Sequence, residues 1–163
     1  MIRNVFKFLP FFLMCLISPV HAMEPFYGFI ERIIDGDSLV VICENKKIEI
    51  RLYGIDCPEY NQPFSDEAKA LVRQKVYDRK VLVYPQYYDS YKRLVAIIEF
   101  EKTTLNGALV WSGLAWVYPQ YCRKKICRSW QQMEKSARSK KKGMWSTSKA
   151  IPPWKWKREK HEN

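Results

Sequence analysis

Histidine is scarce in this chain: its 163 residues include only His21 and His161. A structural zinc site needs four Cys or His ligands at paired spacings. Cys122 and Cys127 form a C-x₄-C pair with no convincing second pair, and the one histidine beyond the N-terminal segment lies near the C-terminal end. Zinc is therefore set aside. Beyond residue 22 no apolar run reaches the ~20 residues that a membrane-spanning helix needs. Internal repeats are missing too, so one domain with a modest core is expected.

What the N-terminus does contain is a short cationic region, Met1–Lys7, then the apolar run FLPFFLMCLISPV and a small-residue site at Val20-His21-Ala22. This pattern predicts a Sec-type signal peptide over residues 1–22 and a mature chain beginning at Met23, periplasmic or secreted. Cys15 invites a lipoprotein reading, but Met14 before it is too bulky for the usual attachment motif. The formal net charge is +11, and it is unevenly spread. Residues 23–121 hold 12 Lys and Arg against 14 Asp and Glu, whereas residues 122–163 hold 14 against 3. A polyanion partner follows from that excess, with an anionic cell envelope as the competing partner.

Tyr27–Ile34 and Leu39–Cys43 read as strands across an Asp35-Gly36-Asp37 turn, and Asn45-Lys46 makes the next turn into a strand over Lys47–Tyr53. Ser65 is positioned to cap a helix whose apolar positions are Ala68, Leu71, Val72 and Val76. Val81–Tyr84 and Leu94–Phe100 are the fourth and fifth strands. Thr104 can cap a helix over Leu105–Ser112 ended by Gly113, and Ser129 one from Trp130 to Lys142 closed by Gly143. This order predicts a mainly β fold with α (α+β): a five-stranded oligonucleotide-binding (OB) barrel with a helix between strands three and four and two C-terminal helices. Trp111, Trp116 and Trp130 are expected in the core. Beyond Trp145 the chain is too rich in Pro and Lys for a compact element, so residues 23–148 are taken as the domain and 149–163 as a basic tail. That tail is expected to serve affinity and to stay out of the catalytic site, although Trp154 and Trp156 offer the alternative of packing back on the barrel.

The chemistry is concentrated between Ile33 and Glu59. Ile48, Ile50 and Leu52 alternate with Lys47, Glu49 and Arg51, which puts Arg51 on the polar face of its strand. Asp37, Asp56 and Glu59 stand at turns and strand ends. Should the two turns meet, carboxylates gather where a hard cation can sit, opposite a guanidinium suited to phosphate. Each of these residues alone has a structural explanation, since Asp-Gly is first of all a hairpin signal.

The whole series resembles the staphylococcal nuclease family, whose pattern is an I-D-G-D-T/S turn, an R-L-x-x-I/V-D-x-P-E strand and loop, and a Y-x-R pair. Here these are Ile34-Asp35-Gly36-Asp37-Ser38, Arg51-Leu52-Tyr53-Gly54-Ile55-Asp56-Cys57-Pro58-Glu59 and Tyr91-Lys92-Arg93. The likeness covers roughly Tyr27 to Trp145, and the Pro-Pro-Trp-x-Trp ending looks like that of bacterial secreted members. The resemblance implies a monomeric, Ca²⁺-dependent nuclease of DNA and/or RNA that leaves 3′-phosphate ends. It implies that Asp37, Asp56 and the main-chain carbonyl of Cys57 bind the metal, that Arg51 and Arg93 hold the phosphate, and that Glu59 is the general base. A cysteine at position 57 departs from the usual Thr or Ala. Asp35 either supports the metal from behind or holds the turn. Tyr91 is implied in substrate binding, together with Tyr118 or Tyr121. In an exported chain, spacing favours a Cys122–Cys127 disulfide, while Cys43 and Cys57 either pair or stay free. The alternative function is a catalytically weak OB-fold nucleic-acid-binding protein, but such degenerate copies lose carboxylates or arginines that this chain keeps.

Overall fold

A computed structural model describes residues 23–161, so the signal peptide expected over residues 1–22 lies outside the described residues. Five strands close a barrel: β1 (Phe26–Ile33), β2 (Ser38–Cys43), β3 (Lys46–Leu52), β5 (Lys80–Tyr88) and β6 (Leu94–Phe100). β1, β2 and β3 form an antiparallel meander, β3 runs parallel to β6, and β5 joins β6 back to β1. This is the OB-fold barrel. Its interior is apolar, with Leu39, Val41, Ile50, Val83, Ala96 and Ile98 fully buried.

Helix α1 (Ser65–Val76) lies between β3 and β5 and buries Ala68, Val72 and Val76. Helix α2 (Leu105–Trp111) starts at Thr104, whose hydroxyl accepts the Gly107 N–H at 3.1 Å, the expected cap. Helix α3 (Ile126–Ser139) follows and sets Trp130 in the core. Short strands also occur: β4 (Ile55–Asp56) pairs with β8 (Trp116–Val117), and β7 (Thr103–Thr104) turns back to pair antiparallel with β6.

Several local expectations give way to tertiary constraints. The second turn is Glu44-Asn45, both at positive φ, with Lys46 already paired to Cys43. Ser65 is the first helical residue of α1 and not its cap. Phe64 takes the preceding place in a left-handed conformation (φ 73°), which packs its ring on the core. Ser129 lies inside α3, which begins earlier because the Cys122–Cys127 bridge gathers the chain there. α3 ends at Ser139, and Gly143 opens a 3₁₀ turn over Gly143–Ser146. Trp111 is 45% exposed at the end of α2, with Lys142 Nζ 4.0 Å from its ring centre.

The C-terminal segment departs most from expectation. Pro153–His161 is a fourth helix, α4. Proline is well tolerated at a first helical position, where its missing N–H has no partner to lose. The Pro152 carbonyl accepts the N–H groups of Lys155 and Trp156 at 2.9 and 3.1 Å. Trp154 and Trp156 pack against the body, as the alternative reading of the tail had it.

Candidate active site

Asp35 holds the β1–β2 turn: its Oδ1 accepts the N–H groups of Asp37 and Ser38 at 2.9 and 2.7 Å. That arrangement turns Asp37 inward. Ser38 pairs with Arg51 across the hairpin, and Leu52 N–H donates to the Asp37 carbonyl at 2.8 Å, so the register itself brings Asp37 to Arg51. One guanidinium nitrogen of Arg51 donates to Asp37 Oδ1 and another to Asp56 Oδ1. The second oxygen of Asp37 accepts the Cys57 N–H at 2.6 Å. The two turns therefore meet, as the sequence suggested, with Asp37 and Asp56 both buried.

Two buried carboxylates share one guanidinium, which leaves negative charge uncompensated. Burial pushes the Asp37 carboxyl well above its usual range; Arg51 opposes this, while Asp35 and Asp56 add to it. Burial likewise raises Asp56, against the pull of Arg51. Arg51 itself is raised: burial lowers its pKa, but Asp37 and Asp56 more than offset that, so it stays charged. A hard divalent cation suits this donor set, because it would relieve the excess charge through carboxylate oxygen. Among the described residues no three His, Cys, Asp or Glu side chains converge on one point. The Asp37–Asp56 pair would thus leave most of a cation's shell to main-chain oxygen, water and substrate, as Ca²⁺ tolerates.

A cleft of about 310 Å³ opens beside this cluster, and Arg51, Asp56, Tyr91, Arg93, Tyr118 and Tyr121 all line it. Arg93 is anchored by Asp89, whose Oδ2 accepts from its Nε at 2.9 Å, while Asp89 Oδ1 accepts the N–H groups of Tyr91 and Arg93. Tyr91 is 80% exposed at the rim, with Arg93 5.4 Å from its ring centre. Tyr118 and Tyr121, alternatives in the sequence, stand together edge to face at 4.9 Å. Cys122 and Cys127 are bridged below them, and Cys43 and Cys57 are free thiols.

Glu59 stands on the loop after β4. Its N–H donates to Gln62 Oε1 at 2.9 Å, and its Oε1 lies 2.6 Å from Lys157 Nζ on α4. Lys157 and Trp154 both line the cleft. The expectation that the tail stays out of the catalytic site is therefore overturned: helix formation puts residues 154 and 157, three apart, on one side facing the cleft. Trp156 points elsewhere, into an apolar hollow it shares with Pro58, Phe64 and Met144.

Sequence reasoning missed Asp89, Gln62, Trp154 and Lys157 as members or supports of this site. Asp89 and Gln62 carried a local signal, Asp89 being four residues before Arg93 and Gln62 three residues after Glu59, each in a turn. Residues 154–157 reach Glu59 and the cleft through a long-range fold, which no local pattern encodes.

Comparison with known proteins agrees with the geometry. Residues 49–147 match the family described as staphylococcal nuclease homologue. The chain is 32% identical to the micrococcal nuclease of Shigella flexneri over 152 residues, covering 88% of this chain and 87% of that protein. It is 30% identical to an uncharacterized endonuclease of Escherichia coli O157:H7, covering 94% of this chain and 99% of that one. A probable staphylococcal-like nuclease of Oryza sativa subsp. japonica is 36% identical over 115 residues, which is 71% of this chain and 34% of the plant protein.

Proposed function

Because this chain belongs to the staphylococcal nuclease family, we propose that its cleft hydrolyses DNA or RNA in a Ca²⁺-dependent reaction yielding 3′-phosphate ends. The protein is a phosphodiester-hydrolysing endonuclease. The observation that carries the site assignment is the cleft itself, where Arg51 and Arg93 flank a space bounded by Asp56.

Asp37, Asp56 and the Cys57 carbonyl would hold Ca²⁺, which when bound supplies charge neutralisation at a phosphoryl oxygen. The protein's own groups do the rest. A guanidinium has five N–H donors, so Arg51 retains donors for a phosphate while it bonds the two aspartates. Arg93, held by Asp89, offers its remaining donors to the same cleft. Together they stabilise the charge that builds on the phosphoryl oxygens in the transition state. Glu59 accepts a proton from water as the water oxygen bonds to phosphorus. The P–O5′ bond breaks, its electron pair leaves on O5′, and O5′ takes up a proton. The phosphate remains on the 3′ oxygen. Gln62 fixes the main chain of Glu59, which supports that role by limiting where the carboxylate can reach.

The test is hydrolysis of single-stranded DNA, duplex DNA and RNA with Ca²⁺ or with chelator, in wild type and Glu59→Gln. The variant keeps size and polarity but cannot accept the proton, so turnover should fall by about 10²-fold or more with DNA binding retained. Near wild-type turnover in Ca²⁺ would remove Glu59 from the mechanism. Export is part of the same proposal, supported by the N-terminal pattern, and mass spectrometry of exported protein should find Met23 first.

A further inference from the structure

Helix α4 brings two kinds of group to the cleft that nucleic acids bind strongly, an aromatic ring and an exposed cation. The Trp154 ring lies parallel to Tyr118, with centroids 4.6 Å apart and planes 9° apart. Trp116 buttresses Trp154 at 5.7 Å, and Tyr121 meets Tyr118 edge-on at 4.9 Å. The result is a slab two rings thick, braced at both ends, along the wall of the cleft that holds Arg51 and Arg93. Stacked core aromatics normally avoid open space. These two rings instead line the cleft that Arg51 and Arg93 also line.

Lys157 stands one helical turn from Trp154, on the same side. Its ammonium pairs with Glu59, yet its side chain remains 57% exposed against 23% for the carboxylate. An ion pair this open is weak, because water competes for both partners. A phosphate entering the cleft offers Lys157 a partner at the same place, and the flexible four-carbon stem lets the ammonium follow it. Exchanging partners also leaves Glu59 free to take a water.

We propose that α4 is a substrate-binding element of the nuclease cleft, with the Tyr118–Trp154 slab stacking one unpaired base beside the scissile bond and Lys157 passing from Glu59 to that nucleotide's phosphate. The inference rests on the nuclease function proposed above. It carries a preference: a paired base in a duplex shows only its edges, so a nucleotide must leave its own stack to lie on a ring face. Single strands meet that requirement at little cost. Residues of α4 should therefore contribute to the discrimination between single-stranded and duplex substrate.

The experiment uses the full chain with Trp154→Ala, Trp154→Phe and Lys157→Met. One arm measures KM and kcat with Ca²⁺ on an oligothymidylate and on a duplex of the same length. The other measures binding of fluorescein-labelled oligothymidylate by anisotropy in chelator, over a range of salt. Loss of one stacked base is worth about 5-fold or more in affinity. Trp154→Ala should raise KM and Kd for the single strand by at least that factor, with kcat nearly unchanged and the duplex much less affected. Trp154→Phe should lie between Ala and wild type. Lys157→Met should lower the slope of log affinity against log salt by about 0.7, the value for one phosphate contact on a single strand.

Equal KM ratios and salt slopes in all variants overturn the proposal. So does a rise in kcat with unchanged KM on both substrates, which would make α4 a plug. If near-ultraviolet circular dichroism shows that Trp154→Ala has lost its fold, Trp154→Phe and Lys157→Met decide the matter. Wild type that neither cuts nor binds removes the nuclease reading as well. Wild type that cuts while the variants match it removes this inference alone.

Discussion

Gln62 donates from Nε2 to the Ile151 carbonyl at 2.7 Å while its Oε1 accepts the Glu59 N–H at 2.9 Å, so one buried side chain ties the loop of the proposed base to the segment leading into α4. Gln62 is only 6% exposed, and few water molecules could replace it. Gln62→Leu should keep the volume but take away the partner of the half-buried Glu59 N–H and Ile151 carbonyl, at a cost of about 1 kcal/mol. Urea denaturation reads that loss, and kcat should fall with it as Glu59 loses its fixed main chain. Unchanged stability and turnover would mean that the loop is held by other contacts.

Asp37 and Arg51 should fail in different ways. Asp37→Ala removes a carboxylate oxygen from the proposed Ca²⁺ site, so calorimetry should show weaker Ca²⁺ binding and excess Ca²⁺ should restore part of the activity. Arg51→Ala removes charge that faces the phosphate, so the rate should drop by about 10²-fold or more with no such rescue. It also strands two buried carboxylates, with a stability cost of about 3–5 kcal/mol. Arg51→Lys keeps the charge while losing the forked geometry, and it separates the two effects. Rescue of Arg51→Lys by Ca²⁺ would contradict the assignment.

Asp89 links pH to the order of the Tyr91–Arg93 turn. Burial pushes its carboxyl up, but bonds from the Arg93 main chain and guanidinium and from the Tyr91 N–H outweigh that and hold it below the usual range. The folded value lies below the unfolded one, about 3.9. The resulting stabilisation is therefore present above that pH and is lost as pH falls through the folded value. Asp89→Asn should flatten the acid limb of the stability curve, measured by urea titrations below about pH 5. It should also raise KM at neutral pH, because Arg93 is no longer anchored. Parallel acid limbs in variant and wild type would dissociate Asp89 from this effect.

Gly54 connects the barrel to the second carboxylate. It sits at φ 71°, two residues before Asp56, and a Cβ there would come within 2.6 Å of Cys122 Sγ in the bridge. Gly54→Ala combines left-handed strain of about 1–2 kcal/mol with that clash. The expected result is a lower unfolding midpoint together with weaker Ca²⁺ binding, since the β4–β8 pairing that holds Asp56 must shift. A destabilised variant with unaltered Ca²⁺ affinity would show that Asp56 is positioned independently of Gly54.

The sequence by itself determined the barrel and the centre of its site. Alternation over Lys47–Leu52 placed Arg51 on one face, and the Asp-Gly turn placed Asp37 opposite it, because hairpin register is a short-range property. Thr104 was legible as a cap for the same reason. Ser65 and Ser129 were equally good caps locally, yet Phe64 packing and the Cys122–Cys127 bridge moved both helix starts, since burying a ring or closing a loop outweighs one capping bond. The C-terminal helix was decided only in three dimensions. Its Lys and Pro content speaks for an open tail, and nothing near residue 157 announces Glu59. What holds it is Trp156 in its hollow, Trp154 on Tyr118 and Gln62 on Ile151, contacts between residues far apart in the chain, whose value exists only once the barrel has formed to receive them.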